Sequence, residues 1–346
     1  MKAKIISITG VKKPKVRLIA MTGTPVSESP NNAYSLLRFI EPGLAVSKSK
    51  FSSKFVENET VFYGGQRVVK VKGYKNLDEL QSLLANISIR RTIADVEGMP
   101  EKLEIIREVT LGPEQKKIYN ALASATKRDT VANHLGVDHI ENITLKLRQL
   151  LYDPGILGYD VPSAKLDTLD SIADEILEDD PIAKMVIWVS FVGSGSMERL
   201  LKRLKRYKPI GLFADTPRAE LDRLGKTFDH SDNRIVVATP QKGGTGIDWL
   251  ARSRYAVYVD LPWSYTAFRQ SQDRLIRRTN LKSTDPIERL KGSPATLIEL
   301  QVPGSVDLLT RACLERKVDL VQGTSVAVND LALSREEMLS FIEELK

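Results

Sequence analysis

At 346 residues the chain has room for two domains of ordinary size, each with its own core. Its 42% hydrophobic and 27% charged residues are the balance of a globular chain, and no apolar run approaches the roughly 18 residues that a membrane span needs. A single cysteine, Cys313, excludes an internal disulfide framework, the histidines His134, His139 and His230 are too scattered for a zinc site, and the net charge of +7 suits a polyanionic partner without requiring one.

In chain order, the opening MKAKIISITG has too short an apolar patch for a signal peptide, so no export and a reducing, cytoplasmic setting are expected. The apolar run Val16 to Met21 empties into Thr22-Gly23-Thr24-Pro25, the pattern of a buried parallel strand ending in a turn. Asn31 opens a stretch of helical period through Tyr34, Leu37 and Phe39, closed by Pro42 and Gly43. From about Ser47 to Gly73 the sequence reads as a less regular insertion or bridging segment, and Leu77 to Ile87 as a helix before the charged pair Arg90-Arg91. From Lys102 a regular alternation begins. Ser163 caps a helix to Leu177, Met185 to Ser190 (MVIWVS) is a strand, and Met197 to Tyr207 a basic amphipathic helix. Strands follow at Pro209 to Phe213, Arg234 to Ala238, Tyr255 to Val259 and Thr296 to Val302, with helices at Ala219 to Phe228, Phe268 to Arg278, Val306 to Leu320 and Arg335 to Leu345. This spacing predicts a doubly wound α/β domain, a parallel sheet with helices on both faces.

The most informative stretch is Trp263 to Arg278, WSYTAFRQSQDRLIRR. On a helix Gln270, Asp273, Arg274 and Arg277 fall at i, i+3, i+4 and i+7 and share one polar face. Such a stripe is often only a solvated face. Here it follows the strand Tyr255 to Val259, and an open α/β sheet places ligands beyond the carboxyl ends of its strands. Paired guanidinium groups there suit phosphate, to which they donate bidentately. The stretch Thr239 to Trp249, TPQKGGTGIDW, follows the strand Arg234 to Ala238. Its glycines permit close backbone approach to a phosphate and Lys242 adds a cation, although a glycine cluster alone is commonly just a tight turn.

Taken in order, these stretches resemble the SWI/SNF-like branch of superfamily-two helicases and ATPases. Gln270, Asp273, Arg274 and Arg277, preceded by Trp263, resemble the family's sixth motif, which implies that Arg274 and Arg277 are arginine fingers and Gln270 a coupling residue. Where the family continues isoleucine-glycine-glutamine, this chain has Arg278-Thr279-Asn280. Gly243, Gly244, Gly246 and Asp248 resemble the fifth motif, with Asp248 standing where this branch commonly has asparagine. The resemblance implies nucleic-acid backbone contact through Lys242, Gly243 and Gly244, and ATP contact through Gly246, Asp248 and the two arginines. Thr22-Gly23-Thr24-Pro25 resembles the third motif and implies that Thr24 faces nucleic acid. KMVIWVSF, from Lys184 to Phe191, resembles the fourth, with Ser190 and Phe191 as contacts and Trp263 in the same interface. Arg90-Arg91, Val96, Pro100, Lys102, Gln115 and Tyr119 resemble the passage from the first lobe to the second, and Gly304-Ser305-Val306-Asp307 with Lys317 the closing strand and bracing helix.

The resemblance runs from about Val16 to Leu320. It implies a remnant of a first RecA-like lobe over 1–45, a bridging segment over 46–101, a second RecA-like lobe over 102–322 and a helical tail over 323–346. The sequence contains no G-x-x-x-x-G-K-[ST] phosphate loop, and no acidic pair precedes Thr22. ATP and Mg2+ are therefore expected to be held mainly by a polypeptide carrying a phosphate loop and an acidic box, with this chain hydrolysing ATP poorly alone. The expected function is the C-terminal half of an ATPase that tracks or opens double-stranded DNA, bacterial or phage in its lack of long insertions. A split gene product, a fragment and a remnant stay open as origins. The alternative function is a non-catalytic nucleic-acid-binding module. A small-molecule enzyme on the same sheet finds no G-x-G-x-x-G fingerprint and no suitably placed histidine.

Overall fold

The computed structural model describes residues 18–22, 26, 29–41, 46–63, 66–89, 91, 101–133, 137–243, 247–276 and 294–322. They fall into two units, Met1–Ser88 and Ile89–Lys346. In the first, Ser29 caps helix α1 (Pro30–Ile40): its hydroxyl accepts the Asn31 N–H while the Asn32 side chain accepts the Ser29 N–H. Helix α1 turns Ala33, Tyr34 and Leu37 inward, and α2 (Lys48–Phe55) meets them with Phe51 and Phe55. The ring centroids lie 5.3 Å apart for Tyr34–Phe51 and 4.7 Å for Phe51–Phe55. An antiparallel hairpin, β1 (Val56–Tyr63) with β2 (Gln66–Tyr74), leads into α3 (Leu77–Ile87).

Two expectations change in this unit. Leu18 to Thr22 form no strand, and Ile19 is 85% and Met21 95% exposed. A strand must satisfy its N–H and C=O groups on a neighbour, and none pairs with this run among the described residues. Conversely, the stretch from 47 to 73 is a helix and a hairpin rather than irregular chain. Its ribbon leaves Val69 and Val71 exposed, so their alternation with Lys70 and Lys72 marks no buried face. Thr24 lies outside the described residues.

The second unit runs β3 (Lys102–Glu108), α4 (Pro113–Asn133), α5 (Val137–Tyr152), α6 (Ala164–Asp179), β4 (Met185–Trp188), α7 (Ser196–Arg203), β5 (Ile210–Leu212) and α8 (Arg218–His230). It continues β6 (Ile235–Ala238), a single turn α9 (Pro240–Gly243), β7 (Tyr255–Tyr258), α10 (Tyr265–Asp273), β8 (Ala295–Gln301) and α11 (Val306–Gln322). The six strands form one sheet in the order β3-β8-β7-β4-β6-β5, with every neighbouring pair parallel. Strand β4 shows why the sequence demands this. All four of its residues are buried, and successive side chains point to opposite faces. Met185 and Ile187 pack with Leu147 of α5, Leu169 of α6, Leu200 of α7 and Leu309 of α11; Val186 and Trp188 pack with Leu221 and Phe228 of α8 and Tyr265 of α10. Helices thus cover both faces of a RecA-like sheet.

The helix expected from Phe268 to Arg278 runs instead from Tyr265 to Asp273, capped by Ser264, whose hydroxyl accepts the Ala267 N–H. It stops because Leu275 and Ile276 turn into the core beside α8 and α10. The expected polar stripe is therefore helical only as far as Asp273, with Arg274 at the cap, and Arg277 lies outside the described residues. The expected terminal helix from Arg335 also falls outside them.

Candidate functional site

The strand order turns back at β4. The chain runs from β4 out to β5, returns to β6, and crosses to β7 on the other flank. Connections diverge there, and a crevice forms beyond the carboxyl ends of the central strands. Ser190 and Phe191 emerge from β4, and Asp260, Leu261 and Trp263 from β7. Asp260 is buried; its Oδ1 accepts the Ser190 N–H at 2.9 Å and its Oδ2 meets the Arg148 guanidinium at 3.1 Å. Arg148, buried near the end of α5, also donates to the Leu261 carbonyl. Its guanidinium carbon stands 5.2 Å from the Phe191 ring centroid and 5.1 Å from that of Trp263. Burial draws the Arg148 pKa below its ordinary value while Asp260 opposes the shift, and a guanidinium in that setting stays charged. Trp263 is 36% exposed, whereas the Ser190 hydroxyl is enclosed without a hydrogen-bond partner. Beneath this rim the buried Lys165 of α6 donates to the Val259 carbonyl at 2.9 Å and pairs with Asp307 at 2.8 Å. Asp307 in turn accepts the Val302 N–H at 2.9 Å, so the stretch expected to brace the lobe ties β7, β8 and α11 together.

Beyond β6, the Thr239 hydroxyl accepts the Lys242 N–H at 3.2 Å, and the Lys242 ammonium donates to the carbonyls of Ala214 at 3.0 Å and Thr216 at 3.1 Å. Gly243 ends α9, while Gly244 and Gly246 lie outside the described residues. Asp248, with a side chain 75% exposed, pairs at 3.2 Å with Arg274, whose side chain is 23% exposed. The structure therefore brings the loop after β6 into contact with the end of α10. Gln270 sits half-buried on α10, and Asp273 pairs with Arg269 at 3.3 Å. Trp249, next to Asp248, packs 5.4 Å from the Phe228 ring centroid and directly against Gly225 of α8. Gly225-Lys226-Thr227 spells the end of a phosphate loop, but it lies inside α8 and not in a turn that opens a helix. Among the described residues no three His, Cys, Asp or Glu side chains gather as a metal site.

Arg148, Asp260 and Lys165 were not singled out in the sequence. The available signal was a lone arginine in LKLRQLL, between the buried Leu147 and Leu150. The arrangement offers a guanidinium, Arg274, that can exchange a carboxylate for a phosphate oxygen. It also offers a cation-backed aromatic rim of the kind that meets sugars and bases.

Residues 8–156 match the SNF2-related domain family. The chain is similar, at 25% identity over 363 residues, to the SWI/SNF-related matrix-associated actin-dependent regulator of chromatin subfamily A member 1 of Homo sapiens, covering 99% of this chain and 32% of that protein. It is also similar, at 22% identity over 312 residues, to the DNA annealing helicase and endonuclease ZRANB3 of Mus musculus, covering 89% of this chain and 27% of that protein. The chain thus spans about a third or less of the length of these curated relatives. In fold it is similar to the Sulfolobus solfataricus SWI2/SNF2 ATPase core in complex with dsDNA, with a TM-score of 0.51 at 21% identity over 94% of this chain and 66% of that one. The ordered motifs, the six-stranded parallel sheet and these similarities point the same way: over residues 8–156 the chain matches the SNF2-related domain family, and its fold is similar to that of a SWI2/SNF2 ATPase core.

Proposed function

We propose that the chain supplies the second lobe, and the end of the first, of a nucleic-acid-dependent ATPase that tracks double-stranded DNA. The observation that carries the reading is the Asp248–Arg274 contact, which holds the sixth-motif arginine against the loop after β6. Arg274 and Arg277 act as arginine fingers, Arg274 exchanging its carboxylate partner for the γ-phosphate, and together they stabilise the charge that develops there. Gln270 couples this response to the nucleic acid, and Gly246 and Asp248 complete the chain's share of the nucleotide pocket. ATP, bound with Mg2+, supplies the phosphoryl group that is transferred to water. The phosphate loop and acidic box come from a polypeptide stretch outside this sequence, in the simplest case a separate partner chain.

Phe191 and Trp263 face DNA from the ends of β4 and β7, with Ser190 enclosed at the root of the Phe191 loop; Lys242, Gly243 and Gly244 face it from the end of β6, and Thr24 from the first lobe. A related ATPase core binds dsDNA, which supports a duplex rather than a single strand as the partner. The test is to mix the chain with a polypeptide bearing the phosphate loop and acidic box and to follow ATP hydrolysis with and without duplex DNA. Duplex-stimulated hydrolysis that neither component gives alone is expected. Salt-dependent duplex binding with no hydrolysis in the mixture would favour the non-catalytic module instead.

A further inference from the structure

We infer that Arg148 is the positioning residue of the DNA-facing rim, holding Phe191 and Trp263 in one fixed relation although they leave different strands. The inference rests on the reading of that rim as the nucleic-acid face. Phe191 follows β4 and Trp263 follows β7, while Arg148 comes from α5 and reaches both rings, at 5.2 and 5.1 Å. The edge of the guanidinium is engaged at the same time, by Asp260 Oδ2 at 3.1 Å and by the Leu261 carbonyl. Asp260 also fastens the start of the other loop by accepting the Ser190 N–H at 2.9 Å. One buried ion pair therefore locks both loop origins, and its cation supports both aromatic side chains.

The choice of arginine is what the geometry requires. Its planar cation presents two faces to rings while its edge donates in the plane. A lysine ammonium could keep the charge and one bond to Asp260, but it has no plane to stack. A buried ion pair is also a poor way to gain stability, because an apolar side chain of similar volume commonly serves as well or better. A charge kept at that site is explained by geometry rather than by stability. Trp263 is partly exposed at the rim, so it can touch a ligand that Arg148 itself, buried behind it, does not reach.

The experiment uses the whole chain, a fluorescently labelled DNA duplex read by anisotropy, and acrylamide quenching of Trp263 emission taken as the difference between the protein and its Trp263→Phe variant. Arg148→Lys is expected to unfold cooperatively like the parent, to expose Trp263 to more quenching, and to weaken duplex binding on the order of tenfold. Trp263→Ala should weaken binding to a similar extent, and the double variant should bind no worse than Trp263→Ala alone. Parental quenching and affinity in Arg148→Lys, or a double-variant loss equal to the product of the two single losses, would overturn the role of Arg148. Should Arg148→Lys fail to fold, Phe191→Leu removes one ring and spares the ion pair; it must raise Trp263 quenching, and unchanged quenching overturns the inference. Parental duplex affinity in Trp263→Ala would instead overturn the nucleic-acid reading of the rim itself, and with it what Arg148 is inferred to position.

Discussion

In the middle of a helix, replacing glycine by alanine ordinarily gains up to about 1 kcal/mol. Gly225 in α8 reverses that sign, because a Cβ there would stand 2.4 Å from Trp249 Cδ1 and 2.7 Å from Cγ. The indole is held between α8 and the turn that begins at Asp248, and it packs on Phe228 as well. Gly225→Ala is therefore expected to lower stability by about 1–3 kcal/mol, the range of an overpacked core. The measurement is a lower urea midpoint at unchanged slope; an unchanged or higher midpoint would mean that Trp249 moves aside freely. The same contact anchors the chain next to Asp248, a residue of the proposed nucleotide site. The half-exposed Asp248–Arg274 pair itself contributes little stability. On the proposed function its part is to aim an arginine.

At the scale of elements, Lys184 joins β4 to α8. Its ammonium is buried and donates to the carbonyls of Phe228, Ser231 at 2.8 Å and Asn233 at 2.9 Å, closing the carboxyl end of a helix where the dipole favours a cation. Lys184→Met leaves those carbonyls without their donor and is expected to destabilise the fold by about 1–3 kcal/mol, seen as a lower Tm. Burial, with Arg252 and Arg234 nearby, pulls the Lys184 pKa from 10.5 to about 8. Between those values the unfolded chain binds more protons than the folded one, so stability rises with pH in that window. The gap between the parent and Lys184→Met should accordingly widen from about pH 8 to 10.5; a flat difference would show that the group does not titrate there. The central strands were legible for the reason that makes them stable: β4, β6 and β7 are buried on both faces and read as continuous apolar runs. The outermost strand β3 was not legible, because KLEIIRE is exposed along nearly its whole length and is a strand through its pairing with β8. The resemblance assigned Asp248 and Arg274 to one nucleotide site, but their direct pairing is seen only in the structure. The Arg148–Asp260 pair did not, since it joins residues 112 apart and exists only once α5 packs beside β7.

At the scale of the whole molecule, the proposed contact of a chain of net charge +7 with a DNA backbone would release counterions on binding. Duplex affinity is expected to fall at least about tenfold between 50 and 200 mM salt, and titrations across that range check it; salt-independent binding would point away from backbone contact. Binding alone does not make a motor, and the sequence has no phosphate loop of its own. On the proposed function this region brings its arginines to ATP, so the decisive measurement is duplex-stimulated ATP hydrolysis by the chain together with a phosphate-loop lobe, comparing the parent with Arg274→Ala and Arg277→Ala. A loss on the order of 10³-fold or more in rate is expected for each variant, with duplex affinity unchanged. Hydrolysis at the parental rate by Arg274→Ala and Arg277→Ala would contradict it.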